Sequence, residues 1–142
     1  MFNAKVYRVM VGSLSGTMEE LYAAKETIRK WNLENSEREG KLFLPVEWSL
    51  KPEDIKEVDV VLGIVGNWIE NTPFIEDCIK AGKLVVLFFN AFQDPKNTIP
   101  SEHTEVNAFR ESVSPICHCV DFNGITGFGT QLKAQLDKVA EA

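Results

Sequence analysis

The residues whose types and spacing suit chemistry begin with Gly12-Ser13-Leu14-Ser15-Gly16-Thr17, a run of small and hydroxyl-bearing side chains. It lies between a Val-rich segment and an amphipathic one. A strand feeding such a loop and then a helix leaves open backbone N–H groups and the positive end of a helix dipole beside the hydroxyls. That arrangement suits a phosphate or a carboxylate; a turn with a helix cap and nothing bound is the plain alternative. Ser13, Ser15, Gly16 and Thr17 are therefore candidate ligand-binding residues. Glu47, Asn67, Trp68 and Asn90 each follow a later apolar segment and join them as candidates. Glu47 would bind a ribose hydroxyl or face water, and Trp68 would stack on a base or serve as packing.

Cys117-His118-Cys119 invites a metal reading. On a strand, though, the two cysteines point to one face and the histidine to the other. No second pair of ligands follows at zinc-like spacing, and His103 is the only other histidine. Buried cysteines are the better reading, and no metal site is expected. Two histidines and the absence of a nucleophile-elbow pattern give a hydrolase triad little support.

The elements that must position these residues follow from periodicity. Val6, Val9 and Val11 mark Lys5 to Gly12 as a strand with Met10 on its opposite face. Thr17-Met18-Glu19-Glu20 reads as a capping box, and Leu21, Ala24, Ile28 and Trp31 continue as one helical stripe. Gly40 is a helix stop. Lys41 to Trp48 reads as a strand whose Pro45 favours an edge position, and Pro52 to Glu57 as a short helix. Asp59 to Gly66 and Leu84 to Phe89 are continuous apolar runs suited to central parallel strands. A short helix through Ile75, Cys78 and Ile79 separates them. Asn90 to Pro100 is polar and irregular. Ser101 to Val113 is helical, Ile116 to Phe122 a last strand, and Thr126 to Ala140 a closing helix.

Strand and helix alternate five times. This predicts an α/β fold in which residues 1–142 form a single doubly wound domain. Its five-stranded parallel sheet would have the flavodoxin-like order 2-1-3-4-5. Ligands in such folds bind beyond the carboxyl ends of the strands at the switch point. That rim would gather Ser13, Ser15, Gly16, Thr17, Glu47, Trp48, Asn67, Trp68, Glu70, Asn90 and Gln93.

Composition bounds the partners. Apolar residues make up 44% and charged residues 25% of 142, ordinary for a globular domain. A net charge of −6 argues against nucleic-acid or anionic-membrane surfaces, which reward clustered lysine and arginine. Three cysteines, an odd number, and no amino-terminal apolar signal lead to the expectation of a cytoplasmic protein.

Val11 to Trp48 resembles a family of TIR-like domains from bacterial signalling and defence proteins. The matching pieces are the Ser-rich loop, Met18-Glu19-Glu20, Trp31-Asn32, Asn35-Ser36-Glu37, Gly40 and Leu44-Pro45-Val46-Glu47-Trp48. Asp59 to Ile64 looks like that family's third strand, Ala81 to Leu87 its fourth, and Phe109 with Gly124 to Leu136 its ending. The opening stretch is the most specific; the later strands would match many α/β proteins. The resemblance implies a fold shared with TIR proteins and nucleoside deoxyribosyltransferases. It also implies binding of a nucleotide or nucleoside and cleavage of its N-glycosidic bond, often in NAD, with no required cofactor. A glutamate on the helix after the third strand would face the oxocarbenium-like sugar.

At that helix the chain departs from the pattern. Glu70-Asn71-Thr72-Pro73-Phe74-Ile75-Glu76 has Pro73-Phe74 where the acid is expected. Glu76 is the nearest acid on the helix and Glu70 the nearest on the loop before it, so both are candidate catalytic residues. The alternative for each is a solvated surface acid. Ser-x-Ser-Gly-Thr is also similar to a flavodoxin phosphate loop, but the continuing Gly-Asn-Thr is missing, which disfavours FMN. A second functional class stands beside the enzyme: a catalytically silent module that assembles with itself or with a partner signalling protein.

Overall fold

The computed structural model describes residues 1–14, 17–91 and 100–141. Five strands form one all-parallel sheet: β1 Lys5–Ser13, β2 Lys41–Val46, β3 Val60–Val65, β4 Leu84–Asn90 and β5 His118–Phe122. Their order is β2-β1-β3-β4-β5, as the alternation predicts. The helices are α1 Met18–Glu39, α2 Thr72–Lys80, α3 Pro100–Val113 and α4 Gly124–Glu141. Pro52–Glu57 is a single 3-10 segment.

Two cores lie on the two faces of the sheet. One joins Val9 and Val11 of β1 to α1 and α4; the other joins Met10 of β1 to the 3-10 segment, α2 and α3. All six residues of β3 are buried, because β3 is covered on both faces. The apolar stripe of α1 is buried as its spacing predicts at Ala24, Ile28 and Trp31, with Leu21 packed against the same core. Gly40 ends α1 in the left-handed conformation, φ 65°, its N–H donating to the Ser36 carbonyl.

Trp31-Asn32 joins three elements. The Trp31 indole packs edge-on against Phe43 of β2 and its Nε1–H donates to Asp137 Oδ1 of α4 at 2.8 Å. The Asn32 side chain donates to the Phe43 carbonyl at 2.8 Å and accepts from the Phe43 N–H at 2.9 Å. One amide thereby pairs both main-chain groups of a residue on an edge strand, as a further strand would.

Two expectations need correction. The predicted capping box at Thr17 is absent: the Thr17 side chain makes no capping bond to α1, and its hydroxyl is paired with Ser13 Oγ at 2.7 Å instead. β2 ends at Val46, not at Trp48, because the chain turns there to carry the Trp48 ring across β1. A Cβ on Gly12 would meet Trp48 Cε3 at 2.1 Å and Cδ2 at 2.2 Å, so the indole occupies the space a side chain would take. The Trp48 ring also meets Phe74 of α2 edge-on, with centroids 5.5 Å apart.

Gly12→Ala should therefore destabilise the domain by about 1–3 kcal/mol, the usual cost of forcing atoms into a packed site. Urea unfolding measures it. Adding Trp48→Leu should recover part of the loss, and additive effects in that double-mutant cycle would refute direct contact.

Candidate functional site

β1 runs into the first loop without a break in hydrogen bonding. The Leu14 N–H donates to the Ile64 carbonyl of β3 at 2.8 Å, and the Glu70 N–H donates to the Leu14 carbonyl at 3.0 Å. Leu14, fully buried, thus ties the loop after β3 to the loop after β1. Asn71, which follows, adopts φ 61° and precedes α2; asparagine tolerates this left-handed conformation better than most residues. Ser13 Oγ accepts the Thr17 N–H at 2.6 Å and so takes up one donor at the start of α1.

At the carboxyl ends of the strands these loops enclose a cleft of about 350 Å3, lined by Thr17, Met18, Glu19, Glu20, Gly66, Asn67, Trp68 and Asn90. Four of the residues singled out in the sequence, Thr17, Asn67, Trp68 and Asn90, come together here from the ends of β1, β3 and β4. Ser13 is half-buried behind Thr17 and bonded to it. Trp68 is partly exposed at 36%. Ser15, Gly16 and Gln93 lie outside the described residues.

Three candidates lie elsewhere. Glu47 lines a separate groove with Leu21, Lys25, Pro45 and Trp48. It lies there because the chain crosses Gly12 through Trp48, the residue after it. Glu70 and Glu76 line a third groove, of about 430 Å3, shared with Glu105 and Phe109 of α3. Glu76 lies more than a turn into α2 on its exposed side, and the neighbouring Ile75 is the residue aimed at the sheet.

Spacing alone singled out neither Glu19 nor Glu20 as a site residue, although both line the cleft. The signal was present in their place within the first turn of the helix that follows the loop. Acids there complement the helix dipole, which makes them look structural. Among the described residues lining the cleft there is no lysine or arginine. The cleft can therefore offer an aromatic face, amide and hydroxyl groups, helix-terminal N–H groups and two carboxylates.

Cys117 and Cys119 are half-buried against the core beneath α3, and His118 is exposed on the other side. Among the described residues no group of three or more His, Cys, Asp or Glu could hold a metal ion. No helix among them is long and apolar enough to cross a membrane.

No family model matches the chain, and no curated protein matches it. Solved structures do. A short-chain flavodoxin associated with a non-canonical PDU bacterial microcompartment aligns over 99% of both chains, with TM-score 0.51 and 11% identity. S. aureus homoserine dehydrogenase, in structures at pH 7.0 and pH 6.0, aligns over 84% of this chain with TM-score 0.51 and 8% and 9% identity. This chain spans 33% of those dehydrogenase chains. At such identities the likeness is one of fold: a flavodoxin-like, doubly wound sheet.

Ser13→Ala removes the acceptor of the Thr17 N–H and should cost about 0.5–2 kcal/mol, as loss of a helix cap does. Thr17→Ala, which keeps that bond, should cost less. Amide exchange in the first turn of α1, followed for both variants, separates the two; equal protection would show that Ser13 Oγ is not the cap.

Proposed function

We propose that this chain is a TIR-like nucleotide-binding domain whose ligand occupies the cleft above β1, β3 and β4. The observation that carries the reading is the meeting of Thr17, Asn67, Trp68 and Asn90, from three different loops, in one cleft at the switch point. The TIR-like motifs from the Ser-rich loop to Trp48 supply the ligand class, and a flavodoxin-like fold is compatible with it.

The lining favours the nucleoside part of such a ligand. Carboxylates hydrogen-bond ribose hydroxyls and attract a cationic ring such as the nicotinamide of NAD, while Trp68 offers a face for a base. Two glutamates, with no lysine or arginine beside them among the described lining residues, make a poor seat for an isolated phosphate. A phosphate would instead rest on backbone N–H groups between Ser15 and Met18 other than that of Thr17, which Ser13 Oγ holds. In the catalytic form of this proposal, the N-glycosidic bond of NAD or of a nucleoside is cleaved, and a carboxylate stabilises the oxocarbenium-like sugar. Glu19 and Glu20 then stand beside Glu70 and Glu76 as the acids to test. The role would belong to bacterial signalling or defence.

A second reading is favoured by the groove between α2 and α3. With Glu70 and Glu76 there, no acid of α2 lines the cleft. That supports a domain that binds without cleaving and acts by assembly with itself or with a partner protein.

Incubation with NAD, and separately with deoxynucleosides, followed by chromatography should release nicotinamide or free base. Replacing the catalytic acid by glutamine should then lower the rate about 10²–10⁴-fold. Glu19→Gln, Glu20→Gln, Glu70→Gln and Glu76→Gln, run in parallel, identify it. Trp68→Ala should weaken ligand binding by about 1–3 kcal/mol, the range for base–aromatic stacking. Unchanged affinity in Trp68→Ala and in Thr17→Glu would overturn the site. Binding without release, with a mass that rises with concentration, would establish the assembly module.

A further inference from the structure

The outer face of α1 carries a pattern that neither core uses. α1 turns Ala24, Ile28 and Trp31 toward the sheet. On the side turned away lie Tyr22, 66% exposed, and Leu33, 74% exposed. Among the described residues the α-helices expose four large apolar side chains, and α1 holds three of them, Met18, Tyr22 and Leu33. Glu26 and Arg29 fill the interval between Tyr22 and Leu33. Steps of four, three and four residues keep Tyr22, Glu26, Arg29 and Leu33 on one stripe of the helix. Within it, Arg29 Nε and Nη2 donate to the two carboxylate oxygens of Glu26 at 3.0 and 2.5 Å. Both side chains stay about half-exposed.

We propose that this stripe is the contact between two copies of the chain, their α1 helices packed antiparallel about a two-fold axis. Read in order, the stripe is apolar, acidic, basic and apolar. With the axis midway between Thr27 and Ile28, Tyr22 of one copy meets Leu33 of the other, and Glu26 meets Arg29. The two-fold repeats each contact, giving two apolar layers outside and two acid–base layers inside. Together they cover about 16 Å of helix. A parallel pair would set Glu26 against Glu26 and Arg29 against Arg29, which repel, so the charge order selects the antiparallel arrangement. This names a partner and a surface for the assembly reading above and rests on that reading, not on nucleotide cleavage.

A single exposed apolar residue needs no cover. Here two of them lie three turns apart on one stripe and bracket a charge pair that is complementary to itself when reversed. The two kinds of layer do different work. Burying Tyr22 against Leu33 supplies the attraction. The acid–base layers fix register and direction more than they add affinity, because exposed ion pairs are individually weak. One helix from each copy makes a contact at the small end of specific interfaces, below about 1,200 Å2, so the dimer forms reversibly and only at raised concentration.

Sedimentation velocity on the full chain, from micromolar to sub-millimolar concentration, reads the monomer–dimer equilibrium. The wild type should dimerise reversibly. Glu26→Arg and Arg29→Glu should each weaken the dimer at least about 10-fold, since like charges then face each other in both inner layers. Leu33→Ser should weaken it by about the same factor. Mixed in equal amounts, the Glu26→Arg and Arg29→Glu proteins should pair with each other, because each supplies the charge the other lacks. The double variant carrying both changes should dimerise as the wild type does. Circular dichroism confirms that each variant is folded. A dimer indifferent to both charge reversals overturns this surface and leaves self-assembly standing. Single variants that stay apart when mixed overturn the antiparallel pairing. A chain that is monomeric at every concentration overturns the contact and assembly with itself together.

Discussion

The contact between Trp48 and Gly12 is the constraint on which the shape of the ligand-binding end depends. A strand next to the switch point ordinarily carries a side chain on each face. β1 instead carries none at Gly12, and the indole of the next crossover fills that space. The consequence is asymmetric. The loop after β2 is drawn across β1 and closes its side of the rim, whereas the side toward β3 and β4 stays open as the cleft. Phe74, packed edge-on against the same indole, extends the contact to α2. Close packing of this kind transmits position, since an aromatic ring seated on backbone has little freedom to shift.

Around that contact the loops are joined by main chain more than by side chains. Leu14 links β3 and the following loop through both its N–H and its carbonyl, and Ser13 holds the Thr17 N–H. Ser13, Leu14 and Thr17 therefore build the frame of the site before they meet any ligand. The side chains free to vary on that frame are those of the cleft. Their chemistry, two carboxylates with an indole and amides, differs from that of a simple phosphate cradle. A helix N-terminus already complemented by Glu19 and Glu20 exerts less pull on a further anion.

The opposite edge of the sheet shows how two like groups set side by side are driven apart in their titration. Cys117 and Cys119 pack against one core, yet one thiol is raised and the other lowered. The direction follows first from the interaction of the two thiols, with the Arg110 guanidinium adding to the lowering of Cys119. Asp121, paired with that arginine, tempers the effect without reversing it.

Fold class and strand order were legible in the chain, because burial on one or both faces writes itself into local periodicity. The continuous apolar run of β3, the helical stripe of α1 and the edge-seeking Pro45 of β2 each state their environment without reference to one another. The convergence of Thr17, Asn67, Trp68 and Asn90 was legible for the same reason, since a doubly wound sheet brings strand ends to one rim. Tertiary structure alone decided which rim residues share a cleft. Glu47 was diverted by the passage of Trp48 over Gly12, and Glu70 and Glu76 were turned toward α3, while Glu19 and Glu20 entered from the first turn of α1. Those outcomes depend on contacts between residues far apart in the chain and on the rotation of each helix about its axis. Local spacing carries neither.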